Sequence, residues 1–117
     1  MAFNVSSLFR ISQPTAFDGG WSAETLTGAK TLTSSDAIFH FINPDGNRDV
    51  TLPTVSKNDA GRFFVIANKA DGTPEVITLK NPDGTTCCTF DRFIAVVVYV
   101  TDAGAWALGA KFTIVAD

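Results

Sequence analysis

Charge is scarce in this chain. Asp, Glu, Lys and Arg make up 18% of its 117 residues, against ~25% in an average soluble domain. A small domain so sparsely charged is expected to have part of its surface covered by a partner, although Thr and Ser replace some of the missing charge. The nine basic residues are dispersed, no two are adjacent, and the net charge is −3. A nucleic-acid surface needs clustered Lys and Arg to neutralise phosphates, so that function is excluded. Long hydrophobic runs are missing too. The longest, Phe93–Val100, falls far short of the ~20 residues that cross a bilayer, so no membrane role is expected. The first ten residues have no basic start and no apolar stretch of signal-peptide length, so a chain made and kept in a cytoplasm is expected.

Catalytic side chains are equally few. The single histidine, His40, shares a strand face with Ile38 and Ile42, while Phe39 and Phe41 point the other way. No Gly-x-Ser-x-Gly accompanies it, so a Ser-His-Asp hydrolase lacks its nucleophile. One imidazole also falls short of the usual multi-histidine metal sites. A buried or interfacial structural histidine is the expectation. Cys87 and Cys88 are neighbours, and in a strand their thiols should diverge to opposite faces. Two reduced thiols are expected, with no second pair of ligands for zinc. Asp45-Gly46-Asn47-Arg48-Asp49 opens like a calcium loop, but Val50 and Ser56 stand where that loop requires Gly and Glu. The remaining aspartates sit beside glycines or at strand ends and do not pair as acid and base. Gly19–Gly20 precedes no helix and is no phosphate loop. Neither catalytic residues, a metal nor a cofactor are expected.

What the chain does hold is strand and turn chemistry. Ten Phe, two Trp and 45% apolar residues supply a core, and this length suits one domain. Asn-Pro-Asp-Gly occurs twice, as Asn43–Pro44–Asp45–Gly46 and Asn81–Pro82–Asp83–Gly84, each between runs that alternate apolar and polar residues. Asn-Pro initiates turns, Asp-Gly accepts positive φ, and period two marks strands. Both are read as hairpin turns, and a shared turn solution is favoured over an internal duplication. Strands are predicted at Glu24–Thr27, Lys30–Thr33, Ala37–Asn43, Arg48–Leu52, Arg62–Asn68, Glu75–Lys80, Thr85–Phe90, Phe93–Val100, Trp106–Leu108 and Phe112–Val115. One helical turn falls near Ser56–Ala60, and Asp71–Gly72 is read as a further hairpin. Turns recurring about every ten residues point to a sandwich or barrel. The fold expected is all-β: a compact antiparallel sandwich or barrel over residues 21–117, preceded by an extended arm, residues 1–20.

Two surfaces follow from this pattern. Phe93–Val100 is apolar on both faces, so it should be covered on both sides, by the core and by a neighbouring subunit or sheet. Trp21, Val97 and Tyr99 are the expected subunit interface. The arm carries Phe3, Val5, Leu8, Phe9 and Ile11, which alternate loosely with polar residues. Such a segment has no core of its own but can add to another subunit's sheet edge or fill pockets there.

Leu32–Ala37, Val50–Pro53, Gly61–Asn68, Val76–Leu79 and Trp106 follow one another in an order that resembles small β-domains of tailed-bacteriophage virion proteins. These domains occur as stand-alone head decoration (cement) proteins or as modules of fibre proteins, and the likeness covers about residues 30–108. It implies a non-enzymatic structural protein of the virion. That protein would be a homotrimer on the outer surface of the capsid, made in the host cytoplasm, with the major capsid protein as partner. The alternative is a tail-fibre or receptor-binding module that recognises a cell-surface glycan, with Trp21 or Trp106 stacking on sugar.

Overall fold

The computed structural model describes residues 20–114, in which nine strands form two sheets. Sheet A holds β1 (Trp21–Leu26), β3 (Phe39–Pro44), β5 (Phe63–Asn68), β8 (Ile94–Val100) and β9 (Trp106–Thr113), in the order β1-β3-β5-β8-β9. Sheet B holds β2 (Lys30–Thr31), β4 (Arg48–Thr51), β6 (Ile77–Lys80) and β7 (Thr86–Phe90), in the order β2-β4-β6-β7. The all-β expectation holds. The helical turn is a single 3-10 turn, Lys57–Asp59, capped by Ser56, whose hydroxyl accepts from the Asn58 amide at 3.2 Å. The two short terminal strands expected at Trp106–Leu108 and Phe112–Val115 are one continuous strand, β9, up to Thr113.

Pairing departs from the antiparallel expectation. β1, β3 and β5 run parallel to one another, and so do β2, β4 and β6. Antiparallel pairs enter later, at β6–β7, β5–β8 and β8–β9. The first six strands therefore wind as three coils, each leaving one strand in sheet A and the next in sheet B. β5, parallel to β3 and antiparallel to β8, reads as a nearly continuous apolar run, as an internal strand of a mixed sheet does.

The two Asn-Pro-Asp-Gly segments do different jobs. Asn81–Gly84 is the expected hairpin, joining β6 to β7: the Gly84 amide donates to Asn81 O at 2.9 Å, and the Asn81 amide donates to Thr85 O at 2.8 Å. Gly84 sits at φ 90°, where any other residue would be strained. Asn43, Pro44, Asp45 and Gly46 do not make a hairpin. They turn the corner from β3 in sheet A to β4 in sheet B. The Asp45 amide donates to Leu26 O at 2.9 Å on the preceding coil, and Asn47 Oδ1 accepts from the Val76 amide at 2.9 Å on the following one. Local turn chemistry bends the chain, but these contacts with other coils decide which sheet receives the next strand. Asp71–Gly72 likewise lies in a corner between sheets and not in a hairpin, since β5 and β6 belong to different sheets.

One core lies between the sheets. Leu26, Leu32, Ile42, Val50, Leu52, Phe64, Ile66, Ile77, Leu79, Cys88, Phe90, Val96 and Val98 share it. Side chains stack from coil to coil: Leu79 lies beside Val50, and Val96 beside Ile66. On the first coil the inward positions change character. Glu24, beside Ile42, and Lys30, beside Val50, form an ion pair at 2.9 Å. Inward-pointing charge at the end of a stack discourages further strands from adding there.

Candidate interaction face

Alternation in β1 and β3 is strict, and it sorts their side chains into two populations. Inward are Ser22, Glu24 and Leu26, then His40, Ile42 and Pro44. Outward are Trp21, Ala23 and Thr25, then Phe39, Phe41 and Asn43. Register carries the outward set across the sheet. Trp21 stands beside Phe39, Phe39 beside Val65, Val65 beside Val97, and Val97 beside Ala110. The next row brings Ala23, Phe41, Ala67, Ala95 and Phe112 together. Tyr99 faces out one row away, beside Phe63.

This face is aromatic and open. Trp21 is 61% exposed, Phe41 41%, Tyr99 40% and Phe112 45%. Trp21 and Phe41 meet edge to face at 6.3 Å between ring centroids, the geometry that aromatic quadrupoles favour. Among the described residues, the outward positions of β1, β3, β5 and β8 hold no Asp, Glu, Lys or Arg. The alanines between the rings make hollows. A groove of about 660 Å³ is lined by Ala23, Glu24, Thr25, Phe41, Asn43 and Lys69, so two charged residues reach it. Gly109 is small for a reason: a Cβ there would lie 3.2 Å from the Tyr99 ring, which covers it.

The three residues expected at a subunit interface, Trp21, Val97 and Tyr99, are therefore gathered on one face, although they come from opposite ends of the chain. The expected arm contacts, Phe3, Val5, Leu8, Phe9 and Ile11, lie outside the described residues. Phe93 is not the first residue of its strand. It holds φ 62°, its amide donates to Asn68 O at 2.8 Å, and the Arg92 guanidinium lies 4.4 Å from its ring centroid. Sequence reasoning did not place Phe41 and Phe112 on this face. For Phe41 the signal was there, since it alternates with a buried histidine.

Polar groups elsewhere are committed to structure. His40 is buried, with Nε2 2.6 Å from the Ala37 carbonyl and Nδ1 3.1 Å from Ser22 Oγ. A carbonyl only accepts, so Nε2 carries the proton and Nδ1 accepts from the Ser22 hydroxyl. Burial holds the His40 pKa below its usual value, opposed by the hydrogen bond to Ala37. Asn68 is fully buried and fully used: its amide nitrogen donates to Glu75 O at 2.7 Å and Phe90 O at 3.0 Å, while its oxygen accepts from the Ala70 amide at 3.1 Å. At the second Asn-Pro-Asp-Gly turn, hydrogen bonds from the Thr85 hydroxyl and amide hold the Asp83 carboxyl below its usual range.

Cys87 and Cys88 do not diverge as an unbroken strand requires. Pairing slips between Leu79 and Lys80, so Cys88 faces Leu79, Thr86 faces Lys80, and Cys87 is the extra residue of a bulge. Cys88 consequently sits in the core and Cys87 packs against it, partly buried. Burial raises both thiols, and Cys88 is pushed up to about 11.

No protein-family model, no curated protein and no solved structure matches this chain.

Proposed function

We propose that this chain is a non-enzymatic structural protein of a tailed-phage virion, a capsid decoration protein that sits as a homotrimer on the outer surface of the head and binds the major capsid protein. The observation that carries the reading is the aromatic outer face of sheet A. A face whose outward side chains are aromatic and uncharged suits a protein–protein contact, where Trp, Tyr and Phe are the side chains enriched. The residues behind the phage resemblance support it from the other side. Leu32, Val50, Leu52, Ile66, Ile77 and Leu79 are core positions of the coils, so the resemblance describes the scaffold that carries the face.

The test is imaging. Negative-stain or cryo-electron micrographs of phage particles made with and without this chain should differ by knobs on the head, in multiples of three copies. Particles whose heads are identical in the two preparations would refute the decoration role. A second reading rests on Trp21, whose exposed indole beside Phe41 suits stacking on a sugar ring. Label at the tail tip, together with glycan-array binding lost in Trp21→Ala, would favour a receptor-binding module instead.

A further inference from the structure

We propose that the cavity where β3, β5 and β9 begin is a peptide-binding pocket, which takes one large apolar side chain of a partner chain and hydrogen-bonds the neutral peptide units flanking it. A peptide held there requires neither a trimer nor a phage head.

Register brings the cavity together. β3 runs parallel to β5, and β5 and β9 are both antiparallel to β8, so all three start at one end of the sandwich. The cavity there measures about 610 Å³, within the ~300–1,000 Å³ of ligand pockets. Its apolar walls are Ile38, Pro53, Val55, Phe63, Phe64 and Trp106. These walls are fixed before any ligand arrives. Trp106 stacks on Phe64 with ring centroids 5.6 Å apart, and its Nε1–H donates to Pro53 O at 2.8 Å. Phe64 in turn meets the His40 ring edge to face at 5.6 Å. A preformed cavity binds without the cost of ordering its own side chains.

Polar atoms at the cavity decide what enters it. Ser34, Asp36 and Arg62 also line it. Asp36 Oδ2 accepts from the Thr33 amide at 2.7 Å, Arg62 Nη1 donates to Ser34 O at 3.5 Å, and Arg62 Nε lies 3.3 Å from Asp59 Oδ1. Hydrogen bonds among the described residues leave Ser34 Oγ, Asp36 Oδ1 and Arg62 Nη2 unused. One carboxylate and one guanidinium carry no net charge, so neither an anion nor a cation is favoured. A pyranose spreads about five hydroxyls around its ring, and the apolar walls would strip water from more of them than three polar atoms can pair. A peptide unit brings one N–H and one C=O. Asp36 Oδ1 can accept from the first, Arg62 Nη2 can donate to the second, and the Ser34 hydroxyl can do either. An apolar side chain between two such units supplies hydrocarbon for the walls.

The test is an NMR titration of the isotopically labelled full chain with N-acetyl-phenylalanine amide, a side chain between two peptide units. The chain has two tryptophans, hence two indole N–H signals, which Trp21→Phe assigns. The Trp106 signal should shift and saturate with a millimolar Kd, as a probe of about fifteen non-hydrogen atoms allows, while that of Trp21 stays in place. N-acetyl-glycine amide, with no side chain to enter, should move neither. Ala60→Leu, at an exposed lining position, fills part of the cavity and should weaken binding about fivefold or more. Arg62→Ala removes a guanidinium that is more than half exposed, and should weaken binding about threefold to tenfold while the chain stays folded. A Trp106 signal unmoved at about 20 mM probe overturns the proposal, as does a shift at Trp21 in its place. So does a glycine analogue that binds equally well, or a variant of either kind that binds like the parent. Methyl glucoside or phenylacetate binding more tightly than the phenylalanine probe would make this a sugar or an anion site and overturn the peptide assignment.

Discussion

Across their shared core the two sheets turn opposite chemistries outward. Sheet B presents Thr31, Thr51, Thr78 and Thr89, with Asp49 and Lys80 paired at 3.5 Å. Sheet A presents Trp21, Phe41, Val97, Tyr99 and Phe112. Threonine is β-branched and suits a strand, while its hydroxyl keeps the face wet without a charge. The low charge count thus has two origins. On sheet B threonine stands in for charge, whereas on sheet A apolar and aromatic residues do so except at Thr25 and Asn43. Low charge in a sequence points to a buried surface only where no hydroxyl replaces it.

The sharpest way to break the comparison is to place one charge on each side of a single strand. Val96 is fully buried, beside Ile66 on the core face of sheet A, whereas Val97 faces outward beside Val65. Val96→Asp buries an unpaired charge, costing several kcal/mol against a total stability of about 5–15 kcal/mol. Circular dichroism should show it unfolded. Val97→Asp should stay folded, with a melting temperature within a few degrees of the parent, and, on the proposed trimeric reading, sediment as a monomer. A Val97→Asp chain that still assembles would show that this face meets water.

Next in size is the tie between the sheets. Asn68, at the end of β5 in sheet A, bonds the carbonyl of Phe90, at the end of β7 in sheet B, and two backbone groups of the corner between them. Asn68→Ala strands all three, at about 1 kcal/mol or more each, so a loss of about 3 kcal/mol is expected in urea titrations. Asn43 faces outward at the end of β3, and Asn43→Ala should change stability by less than about 0.5 kcal/mol.

How far the sequence revealed this molecule depends on the range of the interactions involved. The strands, the buried histidine and the hairpin at Asn81–Gly84 were legible, because alternation and turn residues act within a few positions. Val97 and Tyr99 were legible as one face of a strand apolar on both sides, and the register places Trp21 on that same face of the sheet. Parallel pairing was not legible. Nothing local to the segment 43–47 says that the Asp45 amide meets Leu26 or that the Asn47 side chain meets Val76, and the unequal coils hide their repetition. The bulge at Cys87 was hidden too, since alternation assumes an unbroken ladder.

A gentler substitution on each outer face sharpens the contrast. Phe41→Ser removes an exposed ring from sheet A without touching the core. If this face holds the copies together, it should weaken self-association by about tenfold to a hundredfold, ~1.4–2.8 kcal/mol, read by sedimentation over a concentration series. Thr78→Ser on sheet B should leave both association and melting unchanged within about 0.5 kcal/mol. Equal effects from the two would mean that the faces are not functionally distinct.

The smallest effect expected is a pH dependence from the inward side of sheet A. His40 is neutral in its buried place, accepting from Ser22 and donating to Ala37, and desolvation lowers its pKa below 6.5. Asp36 and Glu24 act against that lowering and Lys30 with it. Because the unfolded chain takes up a proton near pH 6.5 while the folded one still resists, stability is full above that pH. It declines as pH falls from 6.5 toward the lower folded value. Denaturant midpoints at pH 7.5, 6.5 and 5.5 should fall in that order for the parent. His40→Gln, which cannot titrate, should be less stable throughout but flat across the same window. If it keeps the parent's slope, the proton is taken up elsewhere, and His40 serves the core by shape and hydrogen bonding alone.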